Sequence, residues 1–251
     1  MGTGRGDGRW EIDAMTFDVD ATLYNYPRMM VPRLHRWGRH VRLLGHLTKA
    51  RQRIRREGPQ EDFRRRQAEI VAELSGMTVD DAYARIERVL YNGWNVDFRT
   101  VKPYRGAHEF VRRAVENGVR IAIISDYPPM KKLEYMGFLG YPWAAIVECE
   151  AMGLLKPAPR AFEAALDALG LTGHPERAIH IGDNYNYDVK GAKAVGMRAA
   201  WLRRRWRFTA MPWGEEDKER VIAPDIIFKD WRVLSGVIAE RCGWSGRGAR
   251  S

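Results

Sequence analysis

Cysteine is scarce. The chain has two in 251 residues, Cys149 and Cys242, far apart and in no CxxC pair. That excludes a disulfide framework and a cysteine-based zinc knuckle, and it suits a reducing cytoplasm. Long apolar runs are missing as well. None approaches the roughly 20 residues that span a bilayer, so no membrane partner is expected. The opening MGTGRGDGR lacks the apolar segment of a signal peptide, and it fails the myristoylation pattern because Gly6 stands where Ser or Thr is needed. Arg5-Gly6-Asp7 reads as chance within a Gly-rich end. Residues 1–9 and 243–251 are expected to be flexible tails. No internal repeat and no low-complexity linker is present.

Positive charge is abundant and unevenly placed. The formal net charge is +10, and the segment from Arg28 to Arg66 holds thirteen Lys or Arg against three acidic residues, Glu57, Glu61 and Asp62. Its excess equals that of the whole chain. A second basic run, Arg203 to Arg207, precedes the acidic Glu215 to Asp217. Such segments attract phosphorylated metabolites or nucleic acid. Arg outnumbers Lys 33 to 9, so compositional bias explains the same pattern. Nucleic acid is therefore a possible partner, less favoured than a small phosphorylated substrate.

With 45% hydrophobic residues, the chain can fill one large core, or one core plus an insert. From residue 101 onward, strand-like and helix-like stretches alternate. The strands are expected at Arg120–Ser125, Ala145–Glu148, Ala178–Asp183, Ala199–Leu202 and Ile226–Phe228. Helices are expected at Gly106–Glu116, Met130–Met136, Arg160–Leu169, Asp188–Val195 and Trp231–Arg241. A first strand lies at Ala14–Phe17. Short, nearly continuous apolar strands separated by helices imply an α/β fold: a Rossmann-like parallel sheet with helices on both faces. Residues 28–98 break the rhythm and read as helices only. Thr78 is placed as an N-cap with Asp81 three positions on, close to a capping box. The expected division is a core of residues 10–27 and 99–240 and an inserted all-helical cap domain of residues 28–98. The crossings fall near Tyr26-Pro27 and Val101 to Tyr104.

Four polar features fall at C-terminal strand ends, the edge where open parallel sheets bind ligands. The first is Asp18 and Asp20 in FDVDATL. Residues i and i+2 of an extended segment face the same side, so both carboxylates can serve one site. They form either a polar turn or a pair with separate roles and a nearby cation. The second is Ser125-Asp126, a turn whose hydroxyl and backbone N–H groups suit a phosphate oxygen. The third is Lys156 in GLLKPAPRAF, where Pro157 and Pro159 stiffen the approach to a helix. The fourth is GDNYNYD. Gly182 permits a tight turn, Asp183 ends a strand, and Asp188 is a helix cap or a ligand. Mg²⁺ prefers a few carboxylates and keeps several waters, which suits Asp183 with the Asp18–Asp20 pair.

In this order and at these strand ends, the features resemble the haloacid dehalogenase superfamily and specifically its phosphohydrolases. DVDAT resembles the first motif, ISD the second, LLKPAP the third and GDNYNYD the fourth. The helical insert after the first motif resembles the C1 cap of the phosphoglycolate phosphatase-like type, and VKPYRGAHEFV resembles the return from cap to core.

The resemblance implies a Mg²⁺-dependent phosphomonoester hydrolase. Asp18 would be the nucleophile that forms an aspartyl-phosphate. Asp20 would protonate the leaving oxygen and then activate water, its backbone carbonyl also ligating the metal. Ser125 would hold the phosphoryl group, Lys156 would neutralise its charge, Asp183 would bind the metal, and Asp188 would support it. The family's dehalogenases lack a carboxylate at the Asp20 position, because a halide leaves without a proton. Two positions depart from the pattern. Ala21 replaces the usual Gly, which is tolerated if its φ is negative. Asp126 replaces a common Asn, which is tolerated if it points away or meets a basic group. Tyr24 to Pro27 are expected to link cap and core, and Arg28, Arg33 and Arg36 are possible substrate anchors. Two alternatives share the motifs or the charge: a phosphomutase, and a nucleic-acid or polyphosphate binder with secondary phosphatase activity. The protein is expected to be a monomer or homodimer.

Overall fold

The computed structural model describes residues 9–25, 38–203 and 222–244. Six strands form one sheet: β1 (Ala14–Phe17), β2 (Arg120–Ser125), β3 (Trp143–Glu148), β4 (Ala178–Gly182), β5 (Arg198–Leu202) and β6 (Ile226–Phe228). Their order is β3-β2-β1-β4-β5-β6, and every pairing is parallel. β1, the first strand in sequence, sits between β2 and β4. The chain direction across the sheet reverses there, which is where ligands bind in such sheets. β1 and β4 are buried along their whole length, as strands covered on both faces must be.

Alternate residues of the strands feed two apolar layers. Met15, Phe17, Ile121, Ile123, Ile179 and Ile181 pack toward α5 (Ala107–Glu116) and α9 (Trp231–Cys242). Ala14, Ala122, Ile124, Ala178 and Trp201 pack toward α7 (Pro159–Ala168) and α8 (Lys190–Ala194). The short α6 (Met130–Tyr135) follows β2.

Residues 38–98 are helical and contain no strand. They comprise α1 (Val41–Glu57), α2 (Phe63–Ser75), α3 (Val79–Ile86), a π-type turn over Glu87–Asn92, and α4 (Gly93–Phe98). Local chemistry sets these ends. Asp62 caps α2 by accepting from the Arg65 N–H at 2.9 Å, and Gly76 closes it with φ of 73°. Thr78 caps α3 by accepting from the Asp81 N–H at 3.1 Å, and its hydroxyl donates to the Asp81 carboxylate at 2.7 Å. The chain after β1 and the chain after α4 run side by side: Tyr24 bridges Pro103, and the Tyr104 N–H donates to the Leu23 carbonyl at 2.8 Å.

The helices expected at Asp188 and Arg160 begin earlier than their spacing suggested. A π-type turn starts at Tyr185, and Pro159 occupies the first turn of α7. Among the described residues no helix is long and apolar enough to cross a membrane. Arg28, Arg33, Arg36, the Tyr26-Pro27 crossing and Arg204 to Arg207 lie outside the described residues.

Candidate active site

Asp18 directly follows β1, and its N–H donates to the Ile181 carbonyl at 3.0 Å, extending the ladder onto β4. The carboxylate is thereby fixed at the sheet edge. Its Oδ2 accepts from the Thr22 hydroxyl at 2.6 Å, and its Oδ1 accepts from Lys156 Nζ at 2.7 Å. Lys156 comes from the loop after β3, next to a cis peptide to Pro157. Its ammonium also donates to Asp188 Oδ1 at 2.6 Å and to the Ile124 carbonyl at 3.3 Å.

Asp188 is gripped in turn. Its Oδ2 accepts from the Asn184 N–H at 2.8 Å, and its Oδ1 lies 3.3 Å from His180 Nε2. A Cβ at Gly182 would stand 2.3 Å from Asp188 Cγ, so only glycine leaves room for this carboxylate. Beneath lies Thr16, register partner of His180 across β1 and β4, with its Oγ1 2.8 Å from His180 Nδ1. Facing a carboxylate, Nε2 carries the proton, which leaves Nδ1 to accept from the Thr16 hydroxyl. Thr16, Asp18, Thr22, Lys156, His180 and Asp188 are all buried.

Burial shapes the charges. It pushes the Asp18 carboxyl well above its ordinary range, against the pull of Lys156, and the neighbouring Asp188 and Asp20 add to the rise. Burial pushes Asp188 in the same direction, but Lys156 and His180 outweigh it and hold Asp188 below the usual carboxylate value. Burial would lower Lys156, yet Asp18 and Asp188 hold it well above its ordinary value. His180 is lowered, chiefly by burial, and stays neutral. One ammonium thus faces two carboxylates.

Asp183 joins them. One oxygen each of Asp18, Asp183 and Asp188 lies within 4.8 Å of the others, and the Asp20 carboxylate is not in this group. Three hard oxygen donors with one lysine between them carry excess negative charge, and they fit a divalent cation such as Mg²⁺. The role foreseen for Asp20 in metal binding used its backbone carbonyl, which this grouping does not bear on.

The remaining sequence candidates lie around this centre. Asp20 is directed elsewhere. Its Oδ1 accepts from the Tyr24 hydroxyl at 2.7 Å, and both its oxygens lie 2.6 Å from Lys132 Nζ. Ser125 is fully buried, and its hydroxyl donates to the Tyr127 carbonyl at 2.7 Å. Asp126 meets a basic group, which was one of the two conditions for tolerating it. Its Oδ2 accepts from Arg55 Nη2 at 2.6 Å, and its Oδ1 accepts from the Lys156 N–H at 2.8 Å. Arg55 also donates to the Lys156 carbonyl at 2.8 Å and lies over the Tyr187 ring at 3.8 Å. The condition set for Ala21 fails. Its φ is +63°, the only positive φ of a non-glycine among the described residues. The turn that returns the Leu23 N–H to the Val19 carbonyl at 3.0 Å demands it.

Sequence reasoning missed Thr22, His180, Lys132, Tyr24, Arg51 and Arg55. Thr22 stood inside a quoted motif. His180 was signalled by a polar side chain in the otherwise apolar AIHIG. Arg51 and Arg55 were hidden in a basic run, and Lys132 looked like half of a surface pair with Lys131. Of the basic segment, Arg51, Arg53, Arg55, Arg64, Arg65 and Arg66 all pair with carboxylates of this chain.

Comparison with known proteins agrees with this arrangement. Residues 12–196 match the model of the haloacid dehalogenase-like hydrolases. The chain is 32% identical over 133 residues to the phosphoserine phosphatase of Thermus thermophilus, a match covering 52% of this chain and 49% of that protein. It therefore spans about half the length of that relative. It is 26% identical over 239 residues to the pyrophosphatase PpaX of Halalkalibacterium halodurans, covering 91% of this chain and 97% of that one. Among solved structures, the L-2-haloacid dehalogenase of Xanthobacter autotrophicus shares the fold with a TM-score of 0.62 at 17% identity, over 90% of this chain and 98% of that one. The strand-end carboxylates, the buried lysine, the sheet order and the matched span all lead to one assignment: this chain belongs to the haloacid dehalogenase-like hydrolase family.

Proposed function

We propose that the protein is a Mg²⁺-dependent phosphomonoester hydrolase acting on a small phosphorylated metabolite in the cytoplasm, with residues 28–98 as a cap over the site. The observation that carries this reading is the division of labour among the carboxylates. Asp18 is buried and aimed by Lys156 and Thr22, while Asp20 is held apart by Tyr24 and Lys132. A halide leaves without a proton and an alkoxide does not, so a second carboxylate beside the nucleophile suits ester hydrolysis.

In the first step an Asp18 oxygen bonds to phosphorus, the bond from phosphorus to the ester oxygen breaks, and Asp20 gives that oxygen its proton. In the second step Asp20 takes a proton from water. The water oxygen bonds to phosphorus, and the aspartyl-phosphate bond breaks, which restores Asp18 and releases phosphate. Lys156 neutralises charge on Asp18 and on the phosphoryl oxygens. Ser125 and the backbone N–H groups that follow it would hold the phosphoryl group once the Ser125 hydroxyl turns from Tyr127. Asp18 and Asp183, with the Asp20 backbone carbonyl, would hold Mg²⁺, and Asp188 would support them from beside Lys156. A cation bound there supplies positive charge against the phosphoryl oxygens. The phosphatase and pyrophosphatase names among its relatives support phosphoryl chemistry. The nucleic-acid reading is weakened by the arginines of the basic segment that already pair within the chain.

The experiment is a screen of phosphorylated metabolites with Mg²⁺ and with EDTA, using Asp18→Asn as the control. Phosphate release from at least one ester is expected, dependent on Mg²⁺ and lost in a folded Asp18→Asn. Full activity in that variant would refute the nucleophile, and full activity in EDTA would refute the metal.

A further inference from the structure

Lys132 lies outside all four strand-end motifs, on α6, yet its side chain is only 4% exposed. Burying a lysine costs both hydration and rotamer freedom, and it persists only where a partner compensates. Its ammonium contacts both oxygens of Asp20 at 2.6 Å and lies 5.2 Å from each of the Phe98 and Tyr127 ring centres. The neighbouring Lys131 is exposed and pairs with Glu134, so the two lysines have different environments. The Tyr24 hydroxyl donates to Asp20 at 2.7 Å, and the Tyr24 ring meets Phe98 edge-on at 5.0 Å.

Asp20 is two residues from Asp18, and Asp18, Asp183 and Asp188 converge without the Asp20 carboxylate. A cation held beside Asp18 and Asp183 would attract the Asp20 carboxylate, which is so close by. A carboxylate taken up as a ligand is no longer free to exchange a proton with the leaving oxygen. A fixed positive charge on the far side opposes that pull, and Lys132 supplies one.

We propose that Lys132 is a positioning residue: with Tyr24 it holds the Asp20 carboxylate clear of the acidic group and within reach of the leaving oxygen. This rests on the phosphatase reading. Its specific consequence is a dependence on the leaving group. An aryl phosphate with a good leaving group needs little proton transfer, whereas an alkyl phosphate needs it fully.

The test compares p-nitrophenyl phosphate with glycerol phosphate for wild type and Lys132→Met. Loss of the acid role is expected to cut kcat on the alkyl ester about 100-fold, with KM little changed, and on the aryl ester only a few-fold. Equal losses on both esters would overturn the proposal, since general damage to the site does not discriminate between leaving groups. If Lys132→Met does not fold, Lys132→Gln is used, with the same pattern expected in milder form. A substrate-free arm separates the two readings. Urea midpoints are measured for Lys132→Met, Asp20→Asn and the double variant. The two single shifts should sum to more than the double shift, and simple additivity would overturn the pairing. If wild type hydrolyses neither these esters nor any in the metabolite screen, the phosphatase reading falls and takes the leaving-group role with it, and the urea cycle still decides whether Lys132 holds Asp20.

Discussion

Replacing Arg51 with Met should be among the most damaging changes outside the catalytic centre. Arg51 projects from α1, is 2% exposed, and pairs with Glu150, which is 4% exposed and lies just beyond β3. Its Nη1 also donates to the Gln67 side chain at 3.3 Å, its Nη2 donates to the Asp126 carbonyl at 3.0 Å, and its guanidinium lies over the Tyr127 ring at 3.7 Å. Removing one partner of a buried pair costs about 3–5 kcal/mol, because the other charge stays buried. Glu150 keeps the Tyr91 hydroxyl at 2.7 Å, which favours the lower end, about 3 kcal/mol. With a urea slope of about 3 kcal/mol per M, the unfolding midpoint should fall by about 1 M. Adding Glu150→Gln removes the stranded charge and should recover about half of the loss. The assay is urea unfolding followed by tryptophan fluorescence and by circular dichroism. A loss below about 1 kcal/mol for Arg51→Met, or strict additivity with Glu150→Gln, would refute the account of this contact as a buried ionic lock between α1 and the sheet edge.

Two further perturbations test the site's frame. Ala21→Gly should stabilise the protein by about 1 kcal/mol, since the +63° φ strains a methyl-bearing residue, and a lower melting temperature for the variant would contradict this. His180 is buried neutral, with its folded value below the ordinary 6.5. Below that pH the unfolded chain binds a proton that the folded chain does not, so this contribution is complete above about pH 6.5 and is lost as the pH falls. His180→Gln should therefore show a shallower fall in stability as the pH drops below about 6.5, by up to about 1.4 kcal/mol per pH unit, and parallel curves would refute it.

Most of the sheet was legible because its strands are short apolar blocks bounded by turn residues. β1, β2 and β6 fall where the sequence puts them, and β3 merely begins two residues earlier, at Trp143. Asp18, Ser125 and Asp183 were legible because each closes or directly follows such a block, and the structure brings Asp18 and Asp183 together with Asp188 and with Lys156, which comes from the loop after β3. Contacts made by side chains distant in sequence were not legible. Nothing local separates Lys132 from Lys131, or Arg51 and Arg55 from the arginines around them. Only the fold shows that Lys132 reaches Asp20 across a sequence separation of 112 and that Arg55 reaches Asp126 across one of 71. The sign of φ at Ala21 was hidden for a different reason. Alanine favours negative φ by itself, and the turn overrides it.

Shape alone does not choose between the chemistries of this family, because a dehalogenase shares the fold. The choice rests on what stands around the nucleophile. A site built only to displace halide would gain nothing from a carboxylate two residues after the nucleophile, and would pay its desolvation and its repulsion against Asp18. Here that carboxylate is not merely tolerated. A buried lysine and a tyrosine hydroxyl hold it, and both side chains lie against the Phe98 ring. The proton transfer proposed for Asp20 beside Asp18 accounts for these contacts. An alkoxide leaving from phosphorus gains far more from such a proton than a halide does, and this favours the phosphatase reading proposed above over the dehalogenase one.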